Sequence, residues 1–250
     1  MKLYRVQAIV LNSREMRDAH RVLTLFSREQ GKLRVAAHGV DKPASRKRGA
    51  VQPFCHSEFL LRCGRELDSV SQCEGRDIFP GLRTNLQRMG YAAYVAELVD
   101  GLTADGEPNE NVFRLLLHTL RALEKTGDAE LVARGFTLRL LSVLGYMPHL
   151  NGCVDCGGEV FTPRARFSAA AGGLICPECA PGIGEVDCGR EAVAAMKSLL
   201  SWDPCKIDRI RISSRSREEI RTVLDACVQW HMEKRSRSMQ FMEKLQTYLT

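Results

Sequence analysis

A chain of 250 residues with 44% hydrophobic and 26% charged side chains has the material for a buried core, as one large domain or two ordinary ones. No apolar run approaches the roughly 18 residues that a membrane span needs. The opening MKLYRVQAIVLNSRE has neither the continuous apolar stretch nor the cleavage site of a secretory signal, so a cytoplasmic protein without a membrane partner is expected. The formal charge of +6 is uneven: residues 1–80 carry 15 Lys+Arg against 9 Asp+Glu, whereas residues 81–190 carry 10 against 13. A polyanion is the natural partner of the N-terminal third.

The first eighty residues have a period of two. Tyr4, Val6, Ala8 and Val10 alternate with Arg5, Gln7 and Ile9 to predict a first strand. Arg21–Ser27 and Lys32–His38 predict a second and third, joined by a hairpin-length link ending in Gly31. Phe54–Cys63 and Glu66–Cys73 predict a fourth and fifth around Gly64-Arg65. Five short strands in this span suit a small closed barrel of the OB type, with an SH3-like barrel as the alternative. In the third strand Lys32, Arg34, Ala36 and His38 share one face. The loop Gly39–Gly49 that follows carries Lys42, Arg46, Lys47 and Arg48 and is short of apolar anchors. Alone it reads as a solvated loop; joined to the Lys32/Arg34 face it makes a track for phosphates. Phe26, Phe54 and Phe59 sit at strand positions that suit the core, so charge and not stacking is expected to dominate.

After Pro80 the period becomes 3.6. One helix is expected from Leu82 to about Leu102, a second through Val112, Leu116, Leu120 and Leu123, and a third from Thr126-Gly-Asp128 to Gly145. Glu191–Trp202 predicts a fourth, and the capping box Ser216-Arg-Glu-Glu219 predicts the start of a fifth. His231, on the last of these, reads as a core or boundary residue and not as a ligand.

Between the third and fourth helices lies a stretch of different composition, GCVDCGGEVFTPRARFSAAAGGLICPECA, at residues 152–180. Cys153/Cys156 and Cys176/Cys179 form two Cys-x-x-Cys knuckles separated by nineteen residues. That spacing suits one tetrahedral Zn2+, since each knuckle supplies two thiolates at about 2.3 Å. Four cysteines fill the coordination sphere and leave no position for a water nucleophile, so the expected ion is structural. A redox dithiol, a disulfide pair or a relic site that has lost its metal is the competing reading. Cys55, Cys63, Cys73, Cys205 and Cys227 are expected to be reduced and buried, and Cys188 is near enough in sequence to serve as a substitute ligand. The chain contains no phosphate loop, G-x-S-x-G turn or H-E-x-x-H helix, so no enzymatic activity is expected.

The order of these parts, together with the runs Gly31-Lys-Leu-Arg-Val-Ala-Ala-His-Gly39, Ser45-Arg46, Val51-Gln-Pro-Phe54 and Gly145-Tyr-Met-Pro148 before Cys153, resembles the RecO family of bacterial recombination mediators over nearly the whole chain. The resemblance implies an α+β fold: an OB-fold barrel at 1–80, then a helical domain at 81–250 with a zinc ribbon inserted at 150–182. It implies a nucleoid-associated mediator that binds single- and double-stranded DNA and anneals complementary strands. It further implies contacts with RecR and the C-terminal tail of single-strand-binding protein, and RecA loading onto coated strands. On the matching barrel segment it places phosphate contacts at Lys32, Arg34, Arg46, Lys47 and Arg48, with Lys42 in the same loop. An acidic tail ending in an aromatic residue would need an apolar slot and cations, and Arg134 and Arg139, with Arg114 and Arg121 on the preceding helix, are the expected cations. A zinc-ribbon RNA-binding or transcription-associated protein is the alternative function.

Overall fold

The computed structural model describes residues 2–16, 20–40, 47–160, 165–180, 184–201, 203, 207, 210–232 and 236–242. They form two compact units, residues 1–125 with 241–250 and residues 126–240. The first unit opens with β1 (Leu3–Met16), β2 (His20–Ser27), β3 (Gly31–Ala37), β4 (His56–Arg62) and β5 (Asp68–Asp77), closed into a barrel in the order β1-β2-β3-β5-β4. This is the five-stranded OB arrangement expected from the sequence. Alternation drives the closure: Val6, Ala8, Val10, Leu23, Leu25, Val35, Ala37, Phe59, Leu61 and Val70 point inward and are at most 3% exposed.

β1 runs six residues beyond the predicted Val10 because it leaves one partner and keeps another. Its pairing with β4 ends at Ile9, while its pairing with β2 continues to Met16. A register shift between Val10 and Asn12 inserts Leu11 as a bulge, so Asn12, Arg14 and Met16 continue the outward face begun by Ile9. β4 starts late because Phe54 occupies the left-handed region, with φ of 73°, and donates its N–H to Val10 O at 2.7 Å.

Among the described residues, three helices follow the barrel: α1 (Pro80–Arg83), α2 (Leu86–Leu102) and α3 (Glu110–Lys125). The helix expected to be continuous from Leu82 breaks at Thr84, because the Asn85 side chain accepts the Arg88 N–H at 3.0 Å and starts α2 afresh. α2 packs on β1 and β2 and covers the outward pair Ile9–Phe26, both fully buried. Lys32, next in that row across β3, is buried with them. Its ammonium lies 2.5 Å from Asp100 O and 2.7 Å from Thr103 O, with the carboxylates of Asp105 at 3.2 Å and Asp100 at 3.5 Å. The same corner is closed by Gly106 N–H to Lys32 O at 2.9 Å, and by Gly31, where φ is +65° and a Cβ would stand 2.1 Å from Glu107 O.

A second tie joins the barrel to α3. Asp77, paired with His56 in the β4–β5 register, takes His56 Nδ1 at 2.8 Å and Arg121 Nη2 at 3.0 Å. Burial alone would raise the Asp77 carboxyl, but the hydrogen bonds from His56 and Arg121 outweigh it and hold it below the usual carboxylate range.

The second unit holds α4 (Ala129–Val143), a small sheet of β6 (Ala165–Ser168), β7 (Gly173–Ile175) and β8 (Val186–Cys188), then α5 (Arg190–Ser201) and α6 (Ser214–Met232). α4 begins at Asp128, whose carboxylate accepts the Leu131 N–H at 3.1 Å. α6 begins earlier than the predicted capping box. Ser213 accepts the Ser216 N–H at 3.2 Å while Glu191 fixes the Ser213 hydroxyl at 2.8 Å, which leaves Ser216 buried inside the first turn. The apolar faces of α4, α5 and α6 pack on one another, and Arg134 crosses to Asp225 on α6 at 2.5 Å.

Both polar ties of the first unit are testable. Lys32→Ala leaves two carboxylates and two carbonyls without their cation and costs about 1–3 kcal/mol, whereas Arg34→Ala on the open part of the same strand stays within about 0.5 kcal/mol; urea unfolding of the two variants measures the difference. The stability contributed by Asp77 is complete above the unfolded carboxylate range of about pH 4 and disappears as pH falls through the lower folded value. Asp77→Asn is therefore expected to lower the melting midpoint at neutral pH and to flatten the acid limb of the stability–pH profile.

Candidate metal centre and nucleic-acid face

The two cysteine knuckles meet because the backbone between them pairs. His149 N–H donates to Gly172 O at 2.9 Å, Leu174 N–H to His149 O at 3.0 Å and Val154 N–H to Leu174 O at 2.9 Å, which lays the first knuckle beside β7. Gly173 permits this approach, since a Cβ there would stand 2.6 Å from Val154 Cγ1. Each knuckle turns on its own backbone, with Gly157 N–H on Cys153 O at 3.0 Å and Ala180 N–H on Cys176 O at 3.0 Å. Gly157 supplies the positive φ of 72° that the first turn requires.

As a result the sulfurs of Cys153, Cys156, Cys176 and Cys179 all lie within 4.8 Å of one another, and Cys156 Sγ is 3.8 Å from Cys176 Sγ. Four thiolates at about 2.3 Å around a tetrahedral ion stand about 3.8 Å apart, so the donor set fits one such cation. Backbone N–H groups of Cys156 and Cys176 point at Cys153 and pull its thiol down to about 6, while the neighbouring thiols push Cys179 up to about 12. Concentrating further negative charge here requires a cation among the sulfurs. Cys188 is outside the cluster, buried in β8, and burial pushes its thiol up to about 12. Of the cysteines expected to be buried, Cys55 and Cys227 are, Cys73 is half-buried, Cys63 is exposed on the turn after β4, and Cys205 is outside the described residues.

The barrel offers a different kind of site. Rows of residues cross the outward face of β1, β2 and β3 in register: Ile9–Phe26–Lys32, then Asn12–Thr24–Arg34, then Arg14–Val22–Ala36, then Met16–His20. The Arg21–Ala37 pair of the β2–β3 register sets His38, the residue after β3, opposite His20 and so in the last row. The first row is buried and its lysine bonds the end of α2, and Ala36 of the third row is buried as well. In the others, Arg34 and Arg14 are exposed, with small or β-branched side chains between them. Among the described residues, Asp105 at 3.9 Å is the ionic partner of Arg34, and 65% of its side chain is open.

Lys32 and Arg34 thus share the face expected of them but not its environment. Of the loop cations, Arg48 is exposed, Lys47 turns back to donate to Val70 O at 2.9 Å, and Lys42 and Arg46 fall outside the described residues. The described ends of this loop are anchored, against expectation, because Val40 and Val51 both enter the barrel core. Arg14, His20 and His38 join the face without being predicted as site residues. The register across the bulge brings Arg14 onto it, and a bulge leaves no mark in strict alternation.

The four helical arginines divide between the two units. On α3, Arg114 is 69% exposed beside Glu110, and Arg121 is held by Asp77. On α4, Arg134 is buried between Asp225 and Glu130, and Arg139 Nε donates to Leu199 O at 3.0 Å. Desolvation draws the Arg139 guanidinium below its usual range. Among the described residues, no helix is long and apolar enough to cross a membrane.

Comparison with known proteins meets this architecture at both ends. Residues 1–79 match the family description Recombination protein O N terminal, and residues 83–240 match Recombination protein O C terminal. The chain is 48% identical to a protein of Pelotomaculum thermopropionicum named DNA repair protein RecO, over 98% of this chain and 95% of that one. Proteins of the same name from Desulforudis audaxviator and Desulforamulus reducens are 42% and 41% identical, each over at least 96% of both chains. With a five-stranded barrel, a helical part carrying a four-cysteine cluster, and matches that run almost end to end, this chain belongs to the RecO family.

Proposed function

We propose that the protein is a non-enzymatic DNA repair and recombination mediator that binds single- and double-stranded DNA on the open rows of its barrel and anneals complementary strands. One observation carries this reading: the outward face of β1–β3 beyond α2 presents Arg14 and Arg34 uncovered, with Arg48 on the adjoining loop. Exposed guanidinium groups neutralise phosphates without reading sequence, as strand annealing of arbitrary DNA demands. The barrier to annealing is the repulsion between two phosphate backbones, and a basic surface that screens both lowers it. The names of the relatives support the repair context. RecR, the acidic tail of single-strand-binding protein and, through them, RecA are the proposed partners. Of the arginines considered for the tail, Arg114 is the most open to it.

The cysteine cluster is proposed to hold one Zn2+ through Cys153, Cys156, Cys176 and Cys179. Such an ion, four-coordinate with thiolates, ties the two knuckles together and supplies stability, not a reactive water. Metal analysis of the purified protein is expected to find about one zinc per chain. Cys176→Ser should release it and lower the melting midpoint while leaving affinity for single strands within about twofold, since the barrel core is separate from the ribbon core. Metal-free protein with four alkylatable thiols at 153–179 would overturn the assignment.

The DNA reading is tested by salt. Arg34→Ala with Arg48→Ala is expected to weaken binding of any single-stranded oligonucleotide and to reduce the log–log salt slope by about 0.7 for each phosphate no longer neutralised. A lower affinity at unchanged slope would show that these side chains act on folding. Equal affinity for matched RNA would redirect the function towards RNA.

A further inference from the structure

The last open row of the barrel face ends in two imidazoles. His20 begins β2 and His38 follows β3, and the strand register sets them opposite each other. Their rings meet edge to face, with centroids 4.7 Å apart and an interplanar angle of 81°. His20 Nδ1 lies 3.2 Å from the Gly39 N and 3.3 Å from His38 Nδ1. The Gly39 N–H can only donate, so His20 Nδ1 is an acceptor and carries no proton. The approach of the two Nδ1 atoms is then a hydrogen bond only in the tautomer with the proton on His38 Nδ1. An added proton consequently goes to His38 Nε2, on the exposed ring, and leaves both hydrogen bonds intact. The pair can become a cation without being broken.

Its surroundings suit an anion. Met16 completes the row from β1, and Arg14 and Arg34 lie further along the same face. Glu15 and Arg21, paired at 3.5 Å, belong to the alternate face of the strands. Phe26 and Phe59 are fully buried and offer no ring to these rows. Among the described residues, the two imidazoles are the aromatic rings of the rows beyond Ile9–Phe26–Lys32, and His rings serve both stacking and phosphate contact in single-strand recognition.

From this geometry we infer that His38, positioned by His20, is a further contact for a single-stranded nucleic acid, meeting one nucleotide at the end of the barrel face where the basic loop leaves it. The inference rests on the proposed reading of that face as a strand-binding surface. Imidazole is the side chain that gains charge between about pH 5 and 8, so the interaction strengthens as pH falls through that window.

The test is binding of the full chain to an oligo-dT by fluorescence anisotropy at pH 6 and pH 8, at several salt concentrations. Unmodified protein is expected to bind about three- to tenfold more tightly at pH 6, with a salt slope larger by about 0.7. His38→Gln keeps the donor-bearing polar shape and should bind at both pH values as unmodified protein does at pH 8. His38→Lys carries a permanent charge and should recover the tighter binding at pH 8. Circular dichroism melting of each variant separates weakened binding from a damaged fold. A pH effect that persists in His38→Gln, or a His38→Lys protein no tighter than His38→Gln, overturns the inference while leaving the barrel reading standing. Failure of unmodified protein to bind oligo-dT at either pH overturns both.

Discussion

A strand has two faces and a small barrel can fill only one of them; everything in the first unit follows from how the other is used. The inward face is closed by Val6, Leu23, Leu25, Val35, Phe59 and their neighbours. The outward face of β1–β3 is divided along its length. One row, Ile9–Phe26–Lys32, is given to α2, and its lysine is neutralised by helix-end carbonyls and two carboxylates. The rows beyond stay open and keep their charges. The bulge at Leu11 makes the division consistent, because without it Asn12, Arg14 and Met16 would turn to the other face of the strand.

Much of this is legible in the sequence. Period-two alternation locates all five strands, the change of period after Pro80 locates the helices, and two matched Cys-x-x-Cys knuckles locate the four-cysteine cluster that could hold a metal ion. What escapes is whatever depends on a neighbour distant in sequence. Lys32 and Arg34 look alike in the chain, and only the position of Asp100, Thr103 and Asp105 makes one a buried strut and the other an open cation. The extension of β1 to Met16 escapes because a bulge breaks the alternation that would announce it. The start of α6 at Ser214 escapes because its cap, Ser213, is fixed by Glu191 from another helix.

The arginines of the second unit show the same distinction. Arg134 and Arg217 reach the carboxylates of Asp225 and Asp128, and Arg139 reaches a helix-end carbonyl. A buried guanidinium bound to a carboxylate is costly to disturb, since removing one partner strands a charge in a region of low dielectric. Charges of this kind specify how helices pack. On the outward rows of the barrel, Arg14 is exposed and Arg34 meets Asp105 at 3.9 Å, so these guanidinium groups lose little on meeting a phosphate. Net charge alone would not separate the two sets.

The central claim is that the open rows of the β1–β3 face form the strand-binding surface. The most direct measurement is amide chemical-shift mapping of isotope-labelled protein titrated with a short oligo-dT. The account predicts the largest shifts at Asn12, Arg14, Val22, Thr24, Arg34 and Ala36, with Ile9 and Phe26 beneath α2 little moved. Shifts concentrated on α4–α6 or on the cysteine ribbon, with the barrel rows unperturbed, would contradict it.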